Sequence, residues 1–225
     1  MIITIDGPSG TGKSVTAKRL ALRLGCDYFD TGALYRAVAW KILKSRVSPG
    51  DTARVEEVVR SFSFSTRTLG PDGLERAYYV DDQDVTEEIR SMEVTAVISK
   101  VAAMACVREA LIPLQRNVAD EGSVIFEGRD LGTVIFPHAD VKFFLTADVE
   151  TRAGRRLVDL SERFPERTDL SYEAVLKSIT ERDRSDSTRS LAPLTQPADA
   201  IVVDTTSSDV EEVVDILEKY VRKTV

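Results

Sequence analysis

Cysteine, histidine and tryptophan are scarce in this chain, with 2, 1 and 1 copies in 225 residues. Cys26 and Cys106 stand far apart with no CxxC or Cys/His spacing. That excludes a zinc-ligand pattern or a disulfide framework and makes each, by expectation, a small buried residue. The lone His138 sits between Pro137 and Ala139 in a turn-like segment, so a metal cluster built on imidazole is excluded. Glycine and proline are sparse too, at 12 and 8 residues, too few for a collagen-like or low-complexity chain. No apolar run approaches the ~18 residues of a membrane-spanning helix. The start, Met1-Ile2-Ile3-Thr4-Ile5-Asp6, has neither a basic leader nor a long apolar core; the expectation is a cytoplasmic protein with no membrane partner. Positive charge is in deficit, the net charge being −7. Nucleic acid is therefore not an expected partner, because that affinity comes mainly from cationic neutralisation of phosphates.

Apolar and charged side chains are plentiful, at 43% and 30%, enough for one large domain or one domain carrying a small insert. The cations are skewed: 9 of the 30 are Lys and the other 21 are Arg. Arginine is the residue whose planar fork matches phosphate and carboxylate oxygens in pairs. An acidic protein with many arginines can hold a small anion in a local pocket, while solvated helix faces account for most of the remainder.

Ile2-Ile3-Thr4-Ile5 is a β-branched run ending at Asp6-Gly7, a buried strand entering a turn. Ala17, Leu20, Ala21 and Leu24 then recur at i, i+3, i+4 and i+7, one face of a helix closed by Gly25. Further short apolar runs at Tyr28-Phe29, Val124-Ile125-Phe126, 141–145 and Ile201-Val202-Val203 are separated by helical periodicity. This predicts an α/β fold with a five-stranded parallel sheet covered on both faces. Ser208-x-x-Glu211 reads as the capping box of the last helix, whose apolar side is Val213, Val214 and Leu217. Between 61 and 79 the pattern changes. Phe62-Ser63-Phe64-Ser65 alternates at period two, Gly70-Pro71-Asp72-Gly73 is a turn cluster, and Ala77-Tyr78-Tyr79-Val80 is a second strand. Together they predict an antiparallel hairpin inserted into the main fold.

Gly7-Pro8-Ser9-Gly10-Thr11-Gly12-Lys13-Ser14, followed by Val15, matches the phosphate-binding loop G-x-x-x-x-G-K-[ST] at every fixed position. It also lies between a predicted strand and a predicted helix. Its glycines let successive N–H groups curl inward on a polyphosphate, and the helix start adds its positive end; Lys13 would reach the β- and γ-phosphates of ATP and Ser14 would ligate Mg²⁺. Asp30-Thr31-Gly32-Ala33-Leu34-Tyr35-Arg36 follows the second strand and Glu127-Gly128-Arg129-Asp130 the third, both at the sheet edge where ligands sit in open α/β folds. Asp30 or Thr31 could equally cap the next helix, Arg36 could be solvated, and the charges of 127–130 could pair with one another or hold a substrate.

In the helix predicted over 172–189, Val175 and Ile179 begin an inward stripe that continues through Arg182, Asp186 and Arg189. Such a stripe either points into an enclosed anion site, since buried unpaired charge costs several kcal/mol, or marks where the helix emerges into solvent. Arg152, Arg155 and Arg156 lie on the helix after the fourth strand, and only some of them can face a cleft. The polar stretch 161–169 between these helices suits a mobile lid, bounded at 157–170.

Segments 5–14, 30–36, 127–137 and 181–194 together resemble the bacterial cytidylate kinase family, and the resemblance runs from the first strand to the last helix. It implies transfer of the γ-phosphoryl group of ATP to CMP or dCMP on a P-loop kinase core. It also implies a small α+β monophosphate-binding insert at 62–94, a lid, Mg²⁺ as cofactor, and a monomer. By that resemblance Ser99, Arg108 and Asp130 recognise cytosine, while Thr31, Arg36, Arg129, Arg182, Asp186 and Arg189 surround ribose and phosphate. Lys13, Arg129, Arg155, Arg182 and Arg189 form the implied catalytic set. Two positions depart from the family pattern: Thr31 stands where some members carry Ser, and Ser185 where some carry Arg. Two other readings stand beside it, a kinase of a different small acceptor and a non-catalytic nucleotide switch.

Overall fold

In the computed structural model, which describes residues 1–70, 75–120 and 122–224, the chain begins as a strand, a loop and a helix. These are β1 (Ile2–Asp6) and α1 (Lys13–Leu24), followed by β2 (Asp27–Asp30), α2 (Thr31–Lys44) and α3 (Thr52–Arg60). Then come β3 (Phe64–Leu69), β4 (Glu75–Val80), β5 (Gln83–Asp84), α4 (Met92–Ala102), α5 (Ala105–Ala119) and β6 (Val124–Gly128). The chain finishes with β7 (Val141–Thr146), α6 (Val149–Arg163), α7 (Tyr172–Thr188), β8 (Ile201–Asp204) and α8 (Val210–Thr224).

The five apolar runs read from the sequence are β1, β2, β6, β7 and β8, hydrogen-bonded in the order β2-β6-β1-β7-β8 with every pairing parallel. Successive side chains of a strand point to opposite faces, and here both faces are apolar. Ile3, Ile5, Ile125 and Phe143 meet Leu20 of α1 and Leu217 of α8 on one side. On the other, Val124 and Phe126 meet Leu34 and Val38 of α2 and Leu111 of α5. From β1 the chain moves to one side of the sheet and later returns to the other, so the carboxyl end of β1 sits at the reversal where open α/β sheets bind ligands.

The capping box of α8 lies one residue later than its sequence signature. The Asp209 N–H donates to Glu212 Oε2 at 3.0 Å and the Glu212 N–H to Asp209 Oδ1 at 2.9 Å. Aspartate caps as well as serine, and Glu211 is turned instead toward Arg19 and Arg23 of α1. The insert is a three-stranded antiparallel sheet, β3-β4-β5, rather than a plain hairpin. It packs on α2 through Tyr78, Val80 and Ile89 against Ala33 and Ala37. Of the turn cluster, Pro71, Asp72 and Gly73 lie outside the described residues.

The range 157–170 is not a polar loop throughout, since α6 stays helical to Arg163. It belongs to an α6–α7 hairpin with its own apolar core of Ala153, Leu160, Val175 and Ile179. Cys26 and Cys106 are half-buried rather than buried. No helix among the described residues is long and apolar enough to cross a membrane.

Candidate functional site

β1 ends at Asp6, and the chain turns at Gly7 with φ +147°; a Cβ there would lie 2.1 Å from the Leu145 carbonyl oxygen. Only glycine passes so close to β7 in that conformation. The loop then runs to Gly12 and into α1. Lys13 is buried beneath it, its Nζ donating to the Pro8 carbonyl at 2.6 Å and to Thr11 Oγ1 at 3.4 Å. Burial, then the Arg129 guanidinium, holds its ammonium well below the usual range. Ser14 Oγ, at the start of α1, donates to Glu127 Oε2 at 2.9 Å, and the Tyr28 hydroxyl donates to Oε1 at 2.6 Å. Burial and the nearby Asp30 push the Glu127 carboxyl upward. Among the described residues no group of three or more His, Cys, Asp or Glu could cage a metal ion.

Across the cleft, arginines from separate elements converge. Arg129, just past β6, donates from Nε to Asp186 Oδ2 at 3.1 Å, and Arg182 Nε stands 3.9 Å from the same oxygen. That Nε is buried without a hydrogen-bond partner. Arg36 of α2 donates to Thr95 Oγ1 at 2.9 Å and to the Ile89 carbonyl at 3.3 Å. Burial, with neighbouring guanidiniums behind it, pushes Arg182 down to about 9 and takes Arg36 down to about 10. A dianion among these three groups would relieve their mutual repulsion and supply the paired oxygens their forks match.

At the far end Asp130 is buried between two arginines, its Oδ2 paired with Arg108 Nη2 and its Oδ1 accepting from Arg189 Nη2 at 3.1 Å. Burial raises its carboxyl and the two guanidiniums pull it partly back. The backbone here makes a single π-helical turn, Leu131–Ile135, with the Phe136 N–H reaching the Leu131 carbonyl at 2.7 Å. Asp6 pins that turn by accepting the N–H groups of Leu131 and Gly132 at 3.0 and 2.8 Å. Asp130 is thereby aimed by a residue at the end of the central strand.

One cleft of about 640 Å³ gathers Ser9 to Val15 of the loop and every residue the sequence assigned to a substrate; Gly7 and Pro8 are not on its wall. Asp30, not Thr31, caps α2 by accepting the Ala33 N–H at 3.0 Å, while Thr31 donates to the Glu127 carbonyl at 2.6 Å. Arg129 and Asp130 do not pair with each other. Two arginines stand apart from the Arg36, Arg129 and Arg182 cluster. Arg155 lines the cleft but is held against the β8–α8 connection, donating to Thr205 Oγ1 at 3.1 Å and to its carbonyl at 2.6 Å. Arg189, extended beyond the end of α7, bonds Asp130 and the Ala192 carbonyl at 2.7 Å. Ser185 is exposed on α7. Sequence reasoning gave no part to Tyr28 or Asp183; it left Glu127 between pairing and substrate holding, and Arg152 among arginines of which only some face a cleft. Asp183 is legible in hindsight, four residues beyond Ile179 on the same helix face.

The chain matches the sequence model of a family described as cytidylate kinase over residues 3–223. It is 46% identical over 221 residues to a cytidylate kinase of Protochlamydia amoebophila, covering 98% of this chain and 96% of that protein. To a cytidylate kinase of Caldanaerobacter subterraneus it is 45% identical, covering 98% and 94%. Among solved structures, an uncharacterised protein from Eubacterium ventriosum superposes with a TM-score of 0.52 at 16% identity, over 99% of this chain and 98% of that one. That last likeness speaks for the fold alone.

Proposed function

The chain belongs to the cytidylate kinase family, and on that premise we propose that it transfers the γ-phosphoryl group of ATP to CMP or dCMP, giving ADP and CDP or dCDP. The observation that carries this is the cleft itself. A phosphate loop forms one wall, an arginine cluster whose charge Asp186 only partly balances forms another, and Asp130 lines the same cleft.

Phosphoryl transfer needs positioning and charge neutralisation more than acid–base chemistry. The loop amides and Lys13 hold the donor phosphates. Arg36, Arg129 and Arg182 hold the acceptor phosphate, with Asp186 fixing Arg129 in place. Ser14 and Glu127 offer a hydroxyl and a carboxylate in contact at 2.9 Å, the oxygen donors that Mg²⁺ prefers. Mg²⁺ held there would neutralise charge on the donor phosphates. Asp130 accepts from the 4-amino group of cytosine, and Arg108 donates to its ring nitrogen or 2-oxo group. Uracil would set its O4 lone pairs against the same carboxylate. Arg155 acts on the donor side, where Thr205 holds it, and 157–170, the tip of the α6–α7 hairpin, closes over both nucleotides as the lid.

The test is ADP formation from Mg-ATP with CMP, dCMP, UMP, AMP or no acceptor. CMP and dCMP are expected to exceed the others by roughly tenfold or more in kcat/KM. Turnover confined to another acceptor would overturn the base assignment, and none with any acceptor would overturn the transferase reading.

A further inference from the structure

Arg152, buried, and Asp183, half-buried, form an ion pair that the mechanism above does not use. Arg152, in the first turn of α6, is 7% exposed. Its Nε donates to the Ala147 carbonyl at 3.0 Å, which fixes the plane of the guanidinium, and its Nη1 donates to the Ser9 carbonyl at 3.0 Å. The same Nη1 pairs with Asp183 Oδ2. The other Asp183 oxygen accepts the Ser9 N–H at 3.4 Å. One ion pair therefore grips both polar groups of a single peptide residue in the phosphate loop. The next residue, Gly10, has φ +81°, and a Cβ there would come within 2.9 Å of both the Cβ and the carbonyl oxygen of Arg152. The loop tip is thus pressed on the first turn of α6 with no room for a side chain between.

Neither Arg152 nor Asp183 is on the wall of the cleft, so the part assigned to them runs through the loop they hold. Arg182 and Asp186 face the cleft from the same helix as Asp183. We propose that Arg152 and Asp183 are a positioning pair by which the α6–α7 hairpin holds Ser9 and Gly10, and so aligns the loop amides for the phosphates of ATP. The pair rests on the reading of 7–14 as the ATP loop. Without Asp183, Arg152 is a buried guanidinium with no anion, and the Ser9 peptide loses its grip on the hairpin. The loop then has to be ordered by the ATP phosphates themselves, which weakens donor binding.

The experiment compares wild type with Asp183→Ala, Asp183→Asn and Arg152→Lys, measuring KM for each substrate and calorimetric binding of Mg-AMPPNP, a non-transferable ATP analogue. In Asp183→Ala the KM for ATP and the Kd for the analogue are expected to rise roughly tenfold, with the KM for CMP within about twofold of wild type. Arg152→Lys keeps the charge but not the fork and should show part of the same rise. A lowered unfolding midpoint with KM for ATP unchanged would make the pair merely structural and overturn the proposal. If Asp183→Ala does not fold, the isosteric Asp183→Asn is judged by the same criterion. Wild type that fails to bind Mg-AMPPNP would instead sink the loop reading, which separates the two failures.

Discussion

On the proposed reading Asp130 would decide the acceptor base, because a carboxylate can accept from an amino group and can donate nothing to a carbonyl. Asp130→Asn keeps the volume and offers an N–H to the O4 of uracil. The expected result is a fall of roughly a hundredfold in the ratio of kcat/KM for CMP to that for UMP, with KM for ATP within about twofold of wild type. An unchanged ratio would remove Asp130 from base recognition. Arg189 is the contrasting case. Read from the helical stripe alone, it belongs with the phosphate arginines; its bonds to Asp130 and to the Ala192 carbonyl give it a second task. Arg189→Ala leaves a buried carboxylate oxygen unpaired, which costs about 1–3 kcal/mol. Urea unfolding should therefore show a lowered midpoint beside the loss of turnover.

At the scale of elements, the α6–α7 hairpin is the clearest separable unit, since its core of Ala153, Leu160, Val175 and Ile179 is distinct from the two cores flanking the sheet. Ile179→Ala removes a buried side chain from that small cluster. It should lower turnover and increase proteolytic cutting within the hairpin more than it lowers the global unfolding midpoint; a shift of about 2–5 kcal/mol in global stability with turnover intact would show the hairpin to be part of the main core. The elements differ in how far they were legible. The five strands of the parallel sheet announce themselves as continuous apolar runs, and α1 and α8 by periodicity, although at the edge strand β8 only Val203 is buried and Val202 is exposed, so the sheet is not covered on both faces there. β5 is two polar residues, Gln83 and Asp84, and carries no signal. The π-helical turn after Asp130 is equally silent, because it depends on Asp6 accepting two N–H groups from 125 and 126 positions away. Most residues that line the cleft with a charge could be named from the motifs. Their pairings could not: Arg129 meets Asp186 across 57 positions, and Arg152 meets Asp183 across 31. No local spacing encodes such partners; the packing of α6 and α7 on the sheet does.

At the scale of the molecule, Asp6 ties stability to pH. Burial pushes its carboxyl up to about 6, in spite of the two N–H groups it accepts. The folded chain keeps this proton up to about pH 6, whereas the unfolded chain releases it near its ordinary value of about 4. Between those limits the folded state binds more protons, so stability falls as pH rises, by at most about 3 kcal/mol. Urea unfolding at pH 4.5 and 6.5 should show the higher midpoint at the lower pH, and Asp6→Asn should flatten that slope.

The same molecule carries a net charge of −7 around a cleft lined by guanidiniums. A nucleotide approaching at low salt is expected to meet the repulsion of the net charge at long range and the attraction of the cleft arginines only at short range, and the longer-ranged part is screened first as the screening length falls to about 10 Å at 0.1 M salt. Raising the ionic strength from a few millimolar toward that value should damp the repulsion before the attraction. Encounter with CMP, followed by stopped-flow fluorescence, should then quicken with added salt, opposite to what a surface steered by uniform positive charge would show.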